Sequence, residues 1–193
     1  LSAAGAAGVG ASVVVTVAEQ QTRAATSGNT VIDANGTTTV SADSAQDVTV
    51  NAATGTAAGA VGIAGTVAVT VLKGQTDAAV GGSTRINQNT ATGLAGQDVV
   101  VQATERIGVD NKLGALAVGV GGGGVGATAD VTLVKSGTSA TVGAGAQLRA
   151  GGDIRVDAGT ERDVASLTVA AAGGATFGIS GAVSYIGVGG RAD

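Results

Sequence analysis

Along much of the chain, apolar and polar side chains alternate with a period of two. Val13, Val15 and Val17 alternate with Ser12, Val14 and Thr16, and Val48, Val50 and Ala52 with Asp47, Thr49 and Asn51. Ile154, Val156 and Ala158 alternate in the same way with Asp153, Arg155 and Asp157. This period places one set of side chains on each face of a β-strand. Abundant Val and Thr suit strands, and Gly-Gly, Asn-Gly and Ser-Gly pairs mark the breaks between them. Helix is disfavoured, because Gly and β-branched residues both cost helix stability.

The alternating runs recur along the chain. GVGASVVVTV (8–17) aligns with GIAGTVAVTV (62–71), VGATADVTL (125–133) and GISGAVSYI (178–186). The column occupied by Val13 therefore returns at Val67, Ala129 and Val183, which sets a repeat of about 54–62 residues. QTRAA (21–25) likewise matches QTDAA (75–79) and GTSAT (137–141). A third motif reads QDVTVNA (46–52), QDVVVQA (97–103) and GDIRVDA (152–158). Self-similarity held by several columns is the signature of stacked repeats.

Strands this poor in large side chains cannot fill a sandwich whose sheets stand ~10 Å apart. A solenoid needs only a narrow interior of Val, Ile and Ala, with backbone hydrogen bonds between coils ~4.8 Å apart. The expected fold is all-β: a parallel β-solenoid (β-helix) built from repeats of about 54–62 residues, in one repetitive segment over 1–193. A unit of that length divides into three coils of about 18 residues, which predicts a shaft about 50 Å long. The longer unit then carries an eight-residue insertion, expected around 87–96. Neither end shows a distinctive cap, so the segment is expected to continue a longer shaft or to stack end to end.

Composition narrows the chemistry. There are 35 Gly among 193 residues, one Tyr, one Phe, and no His, Cys, Met, Trp or Pro; the net charge is −4. Without His or Cys the usual zinc, haem and thiolate sites and the histidine-based triads cannot be built. Collagen needs abundant Pro. Disorder is opposed by 44% hydrophobic residues and a small net charge. The absence of Met suggests a processed product or a piece of a longer chain, and no signal peptide lies within these residues. With few aromatics and no basic stripe, nucleic acid is not an expected partner.

Several motifs invite a sharper reading. GVGGGG (119–124) has GxGxxG spacing, but a dinucleotide site needs a helix to follow. A strand-like run follows instead, which points to a backbone bend or close wall packing. The stretches 52–72 and 164–190 lack charge, yet they consist mostly of Ala, Gly, Val and Thr and fall in the same phase of the repeat, so no membrane span is expected. Asp47, Asp98 and Asp153 each precede an alternating run. They are candidate calcium ligands, although an aspartate more often closes a turn through its own backbone. No metal or cofactor is assigned. Asp153, Asp157, Glu161 and Asp163 interleave with Arg149, Arg155 and Arg162, as on a solvated mixed-charge face. Thr37–39, Thr49 and the column Thr16, Thr70, Thr132 are the candidates for an alternative reading as an ice- or surface-binding face.

The unit GVGASVVVTV…QTRAAT…QDVTVNA resembles the repeats of very large secreted bacterial surface proteins. These are the filamentous haemagglutinin-like and leukotoxin-like adhesins exported by two-partner secretion or autotransport. The resemblance implies a right-handed β-helical shaft, extracellular at the bacterial cell surface, with a structural or adhesive role. The implied partners are copies of itself or flanking repeats, stacked end to end, and a host or neighbouring-cell surface. It supplies no catalytic residues, and no enzyme activity is expected.

Overall fold

A computed structural model describes residues 2–88 and 95–190, and all regular elements there are strands. Unbroken alternation without proline lets the strands run far beyond the usual length of about 5–6 residues. In chain order, β1 (Ser2–Ala4) leads into β2 (Ala7–Ala25), β3 (Val31–Ile32) and β4 (Thr38–Ala58). The next circuit is β5 (Val61–Val80), β6 (Arg85–Ile86) and β7 (Val99–Gly119). The third is β8 (Gly123–Val142), β9 (Gln147–Leu148) and β10 (Ile154–Gly174), and β11 (Phe177–Gly190) begins a fourth.

Three parallel sheets result. One long wall has the order β1-β4-β7-β10, the other β2-β5-β8-β11, and a narrow third side is β3-β6-β9. Val13, Val67, Ala129 and Val183 are register partners on neighbouring strands. The chain is thus a parallel β-solenoid in which one repeat makes one coil. This corrects the expected division into three coils of about 18 residues, because the chain bends only at the corners and not inside its strands. Strands of about 20 residues are ~65 Å long, and four rows stand ~19 Å high. The long dimension follows the strands, not the solenoid axis, so the expected shaft length is overturned together with the coil length.

Register also locates the extra residues of the second circuit. Val31 pairs with Arg85 and Ile32 with Ile86, whereas a little farther on Thr38 pairs with Val99. The offset between partners has grown by seven, so seven extra residues fall between Ile86 and Val99. The eighth lies in the turn before β8, since Ala58 pairs with Gly119 but Gly62 with Gly124. Within the expected insertion, 89–94 lie outside the described residues. The third motif is out of register as aligned from sequence. Ala42, not Ala52, is the partner of Ala103, which also pairs with Ala158. The slip from 52 to 42 is an even number of positions, so the alternation conceals it.

The two walls run antiparallel to each other and meet at the turns 59–60, 120–122 and 175–176. Close to those turns they nearly touch. A Cβ on Gly62 would lie 2.6 Å from the Val118 carbonyl oxygen, and one on Gly126 2.7 Å from that of Ala171. The buried layer there is Ala64, Ala115 and Ala117. Farther in, the space admits Leu72, Ile107, Val109 and Val134. It is filled beside the narrow side by Val80, Ile86, Val99 and Val101.

On the β4-β7-β10 wall the inward set is the expected one, with Val50, Val101 and Val109 buried and Thr39, Ser41 and Asp43 exposed. On the opposite wall the expectation is inverted. Val13, Val15 and Val17 face outward, and the column Thr16, Thr70, Thr132 faces inward, with Thr70 and Thr132 fully buried. Close to the turns the walls leave room only for Gly, Ala and Thr, and farther in the same wall turns Val14, Leu72 and Val134 inward beside its Thr column.

Candidate functional surface

The outward positions of the β2-β5-β8-β11 wall form the first candidate. On β5 they are Ile63, Gly65, Val67, Val69 and Val71, after which Lys73, Gln75 and Asp77 follow. On β2 the same columns hold Val9, Ala11, Val13, Val15 and Val17, followed by Glu19. β8 repeats them as Val125, Ala127, Ala129, Val131 and Leu133, then Lys135. On β11 the columns are Ile179, Gly181, Val183, Tyr185 and Gly187. From the first of these columns to the last, all four strands present no outward charge. The boundary is sharp, because the column of Glu19, Lys73 and Lys135 closes it on three successive rows.

The outer face of the other wall is different in kind. Arg106 and Glu161 pair across rows at 3.0 Å, both exposed, and Arg155 pairs with Asp157 on its own strand. This is the solvated mixed-charge face expected from sequence for Arg155, Asp157, Glu161 and Asp163, whereas Arg162 of that group shares the inward column of Ile107 and donates to the Ser136 hydroxyl at 2.9 Å. A shallow depression of about 380 Å³ lies over Gly108, lined by Asp47, Asp110, Lys112 and Asp163 among others. The Asp47 carboxylate leans over the space that a side chain at 108 would fill, and Lys112 pairs with Asp110.

Register separates the three aspartates singled out from sequence. Asp98 and Asp153 are neighbours at a corner, where the Asp98 Oδ1 accepts the Asp153 N–H at 2.8 Å. The Asp98 carbonyl accepts the Thr38 N–H at 2.8 Å, and that of Asp153 the Val99 N–H at 2.9 Å. Both residues tie one coil to the next through the backbone. Asp47 sits well along the strand, in the column of Gly108 and Asp163 and ~33 Å from that corner. Among the described residues no three acidic side chains gather as a metal site.

The glycines 119–124 form a bend: β7 ends at Gly119 and β8, a strand and not a helix, starts at Gly123. The uncharged stretch 52–72 is the end of β4, a turn and the start of β5. Among the described residues no helix is long and apolar enough to cross a membrane. The Thr column proposed for an ice-binding face is interior, which removes it from any surface array.

Sequence reasoning missed the polar interior. The Asn111 Nδ2 donates to Asp130 Oδ1 at 3.0 Å, to Thr132 Oγ1 at 2.8 Å and to Thr70 Oγ1 at 3.3 Å. Asp130 also accepts the Ser166 hydroxyl at 2.6 Å. Glu105 is fully buried and accepts the Thr138 hydroxyl at 3.2 Å. The available signal was phase: Glu105 and Asn111 share the parity of Val101 and Val109 on one strand.

The ends of the stack are the last candidate. Among the described residues β2 at one end, and β10 and β11 at the other, pair along one side only. Neither β2 nor β11 contains proline, and their inward positions, such as Ser12, Val14, Ser180 and Ser184, carry no charge. No protein-family model, curated protein or solved structure matches the chain.

Proposed function

We propose that this chain is an extension element of an extracellular bacterial surface fibre, structural or adhesive, with no catalysis of its own. The observation that carries the reading is the open ladder. Every coil repeats its neighbour in register, and the terminal β2 and β11 rows present long strand edges without the proline or inward charges that normally block strand addition. The one inward charge of the β10 row, Arg162, is turned back onto Ser136. Such an edge accepts another coil, whether from flanking repeats or from another copy. The resemblance to secreted adhesin repeats supports the extracellular placement. An interior of small, mostly non-aromatic side chains is economical for long shafts. Contact with a host or neighbouring cell is then spread along the shaft or made elsewhere on the fibre.

Electron microscopy and fibre diffraction test this reading. The expected result is ribbons with a ~4.8 Å repeat along the axis and a width of ~65 Å. Ser184→Lys places a charge inward on the open β11 row, and it is expected to stop growth while leaving the β-type circular dichroism unchanged. Discrete particles from the unmodified chain at high concentration would sink the proposal, as would undiminished growth of the Lys variant.

A further inference from the structure

We propose that the apolar outer face of the β2-β5-β8-β11 wall is a lateral interface that packs against the same face of a second copy. The two solenoids lie sheet to sheet with their axes parallel. This contact is separate from end-to-end stacking and does not depend on it.

The argument begins with contrast inside single strands. The wall is apolar outward across five successive columns and then turns polar at Glu19, Lys73 and Lys135. A wall meant only for solvent has no reason to change character at one column on three successive rows, with Gly189 in that column on the fourth. Flat, β-branched faces of this kind are what pack together in β-sandwiches. The patch measures ~30 Å along the strands and ~19 Å across them, about 570 Å² in flat projection. Pairing two copies covers at least about 1,100 Å², close to the lower bound of about 1,200 Å² for specific interfaces. Every further coil widens the contact.

Register selects one arrangement. A two-fold axis parallel to the solenoid axis and passing over the Val13 column sets each row against its own counterpart. Tyr185 then faces Gly181 of the second copy, and Ile179 faces its Gly187, whose outer space is already covered by Leu133 and the edge of the Tyr185 ring. A Cβ on Gly181 would meet nothing within 4 Å, so the position is an open dimple for the Tyr185 ring. The charged column falls at the rim, opposite Ala7, Val61 and Gly123, where water reaches it. A two-fold axis along the strands would instead oppose Lys73 to Lys135 and reverse one solenoid. Lipid is a poorer occupant, since the rim has no aromatic belt and the chain carries a net charge of −4.

The test separates this contact from stacking by using Ser184→Lys, which lies inside the coil and not on the patch. In that background, sedimentation equilibrium at ~100 µM is expected to give the mass of two chains. Adding Val131→Lys at the centre of the patch is expected to return the mass to one chain. Single cysteines placed in the otherwise native chain provide a second measurement that does not need either Lys variant to fold. Ala129→Cys, on the two-fold column, is expected to cross-link to itself with a bis-maleimide spanning ~10 Å, whereas Ser41→Cys on the opposite wall is not. A one-chain mass for Ser184→Lys with no cross-linking through Ala129→Cys overturns the proposal. So does a one-chain mass accompanied by co-flotation with phosphatidylcholine–phosphatidylglycerol vesicles, which would assign the face to lipid.

Discussion

Two glycines on the same wall show how different the demands on one residue type are. Gly124 faces inward between the Ala117 and Gly173 carbonyl oxygens, each 2.6 Å from where a Cβ would sit. Gly65 faces outward, and its nearest neighbour would be the Ala127 oxygen at 4.0 Å. Gly124→Ala is expected to destabilise by about 1–3 kcal/mol, because both contacts are backbone and cannot give way locally. Gly65→Ala is expected to be neutral or to stabilise by up to about 1 kcal/mol, by restricting the unfolded chain. Urea midpoints of the two variants decide the matter, and equal losses would refute the distinction. A second column concerns backbone conformation. Asn29, Ser83 and Gly145 occupy the same turn position in successive coils, at φ of 62°, 62° and 78°. Glycine adopts this left-handed region without the penalty that Ser83 bears. Ser83→Gly is expected to raise stability by up to about 1 kcal/mol, the left-handed penalty of an L-residue less the entropic cost of glycine, and a lowered midpoint would contradict that account.

At the scale of the strand, the inversion of the β2-β5-β8-β11 wall follows from the spacing of the walls. Where two sheets approach until carbonyl oxygens meet glycine Cα atoms, Thr and Asn are admitted if they bond across the gap. Thr66 does so, donating to the Gly114 carbonyl at 2.7 Å with its hydroxyl oxygen 2.9 Å from that of Thr54. Asn111 is the densest case, joining β7 to β5 and β8. Removing its amide leaves Asp130 Oδ1 without that donor in a buried site. Asn111→Ala is expected to cost about 1–3 kcal/mol, measured as a drop in the denaturation midpoint. Thr39→Ala, exposed on the other wall, should change little, and a comparable loss there would show that the network has no special weight. The alternation of Val13, Val15 and Val17 announced a strand correctly. It did not reveal which face was inside, because Ser12, Val14 and Thr16 are small enough to serve as the interior of a thin slab.

At the scale of the whole molecule, the coil length sets the shape. With one coil per repeat, the chain is a slab whose greatest length runs along the strands. Small-angle scattering of the Ser184→Lys, Val131→Lys protein is expected to give a largest dimension of ~65–70 Å. A rod with a cross-section of only ~20 Å would restore the short-coil solenoid. The same slab places the uncharged patch on a broad face and the open strand edges on its two ends, so lateral and axial contacts use different surfaces.

The division between what sequence determined and what folding decided has a physical basis. Period-two alternation, the recurrence of the Val13 column and the lack of large side chains were sufficient for strands, parallel stacking and a solenoid, since each is a local or strictly periodic property. The place of seven of the eight extra residues was legible too, because the constant interval on either side bounds it, while the eighth fell in the turn before β8. Whether one repeat makes a single coil or three was not, since both have the same sequence period and differ only in where the chain bends. The long run without a break from Val99 to Gly119 was the clue, and usual strand lengths argued against it. The register of the third motif was hidden by an even slip. The separation of Asp47 from Asp98 and Asp153, and the outward turn of the Val columns, came only from the walls. Alternation labels two faces, but the distance to the opposite sheet decides which of them is the interior.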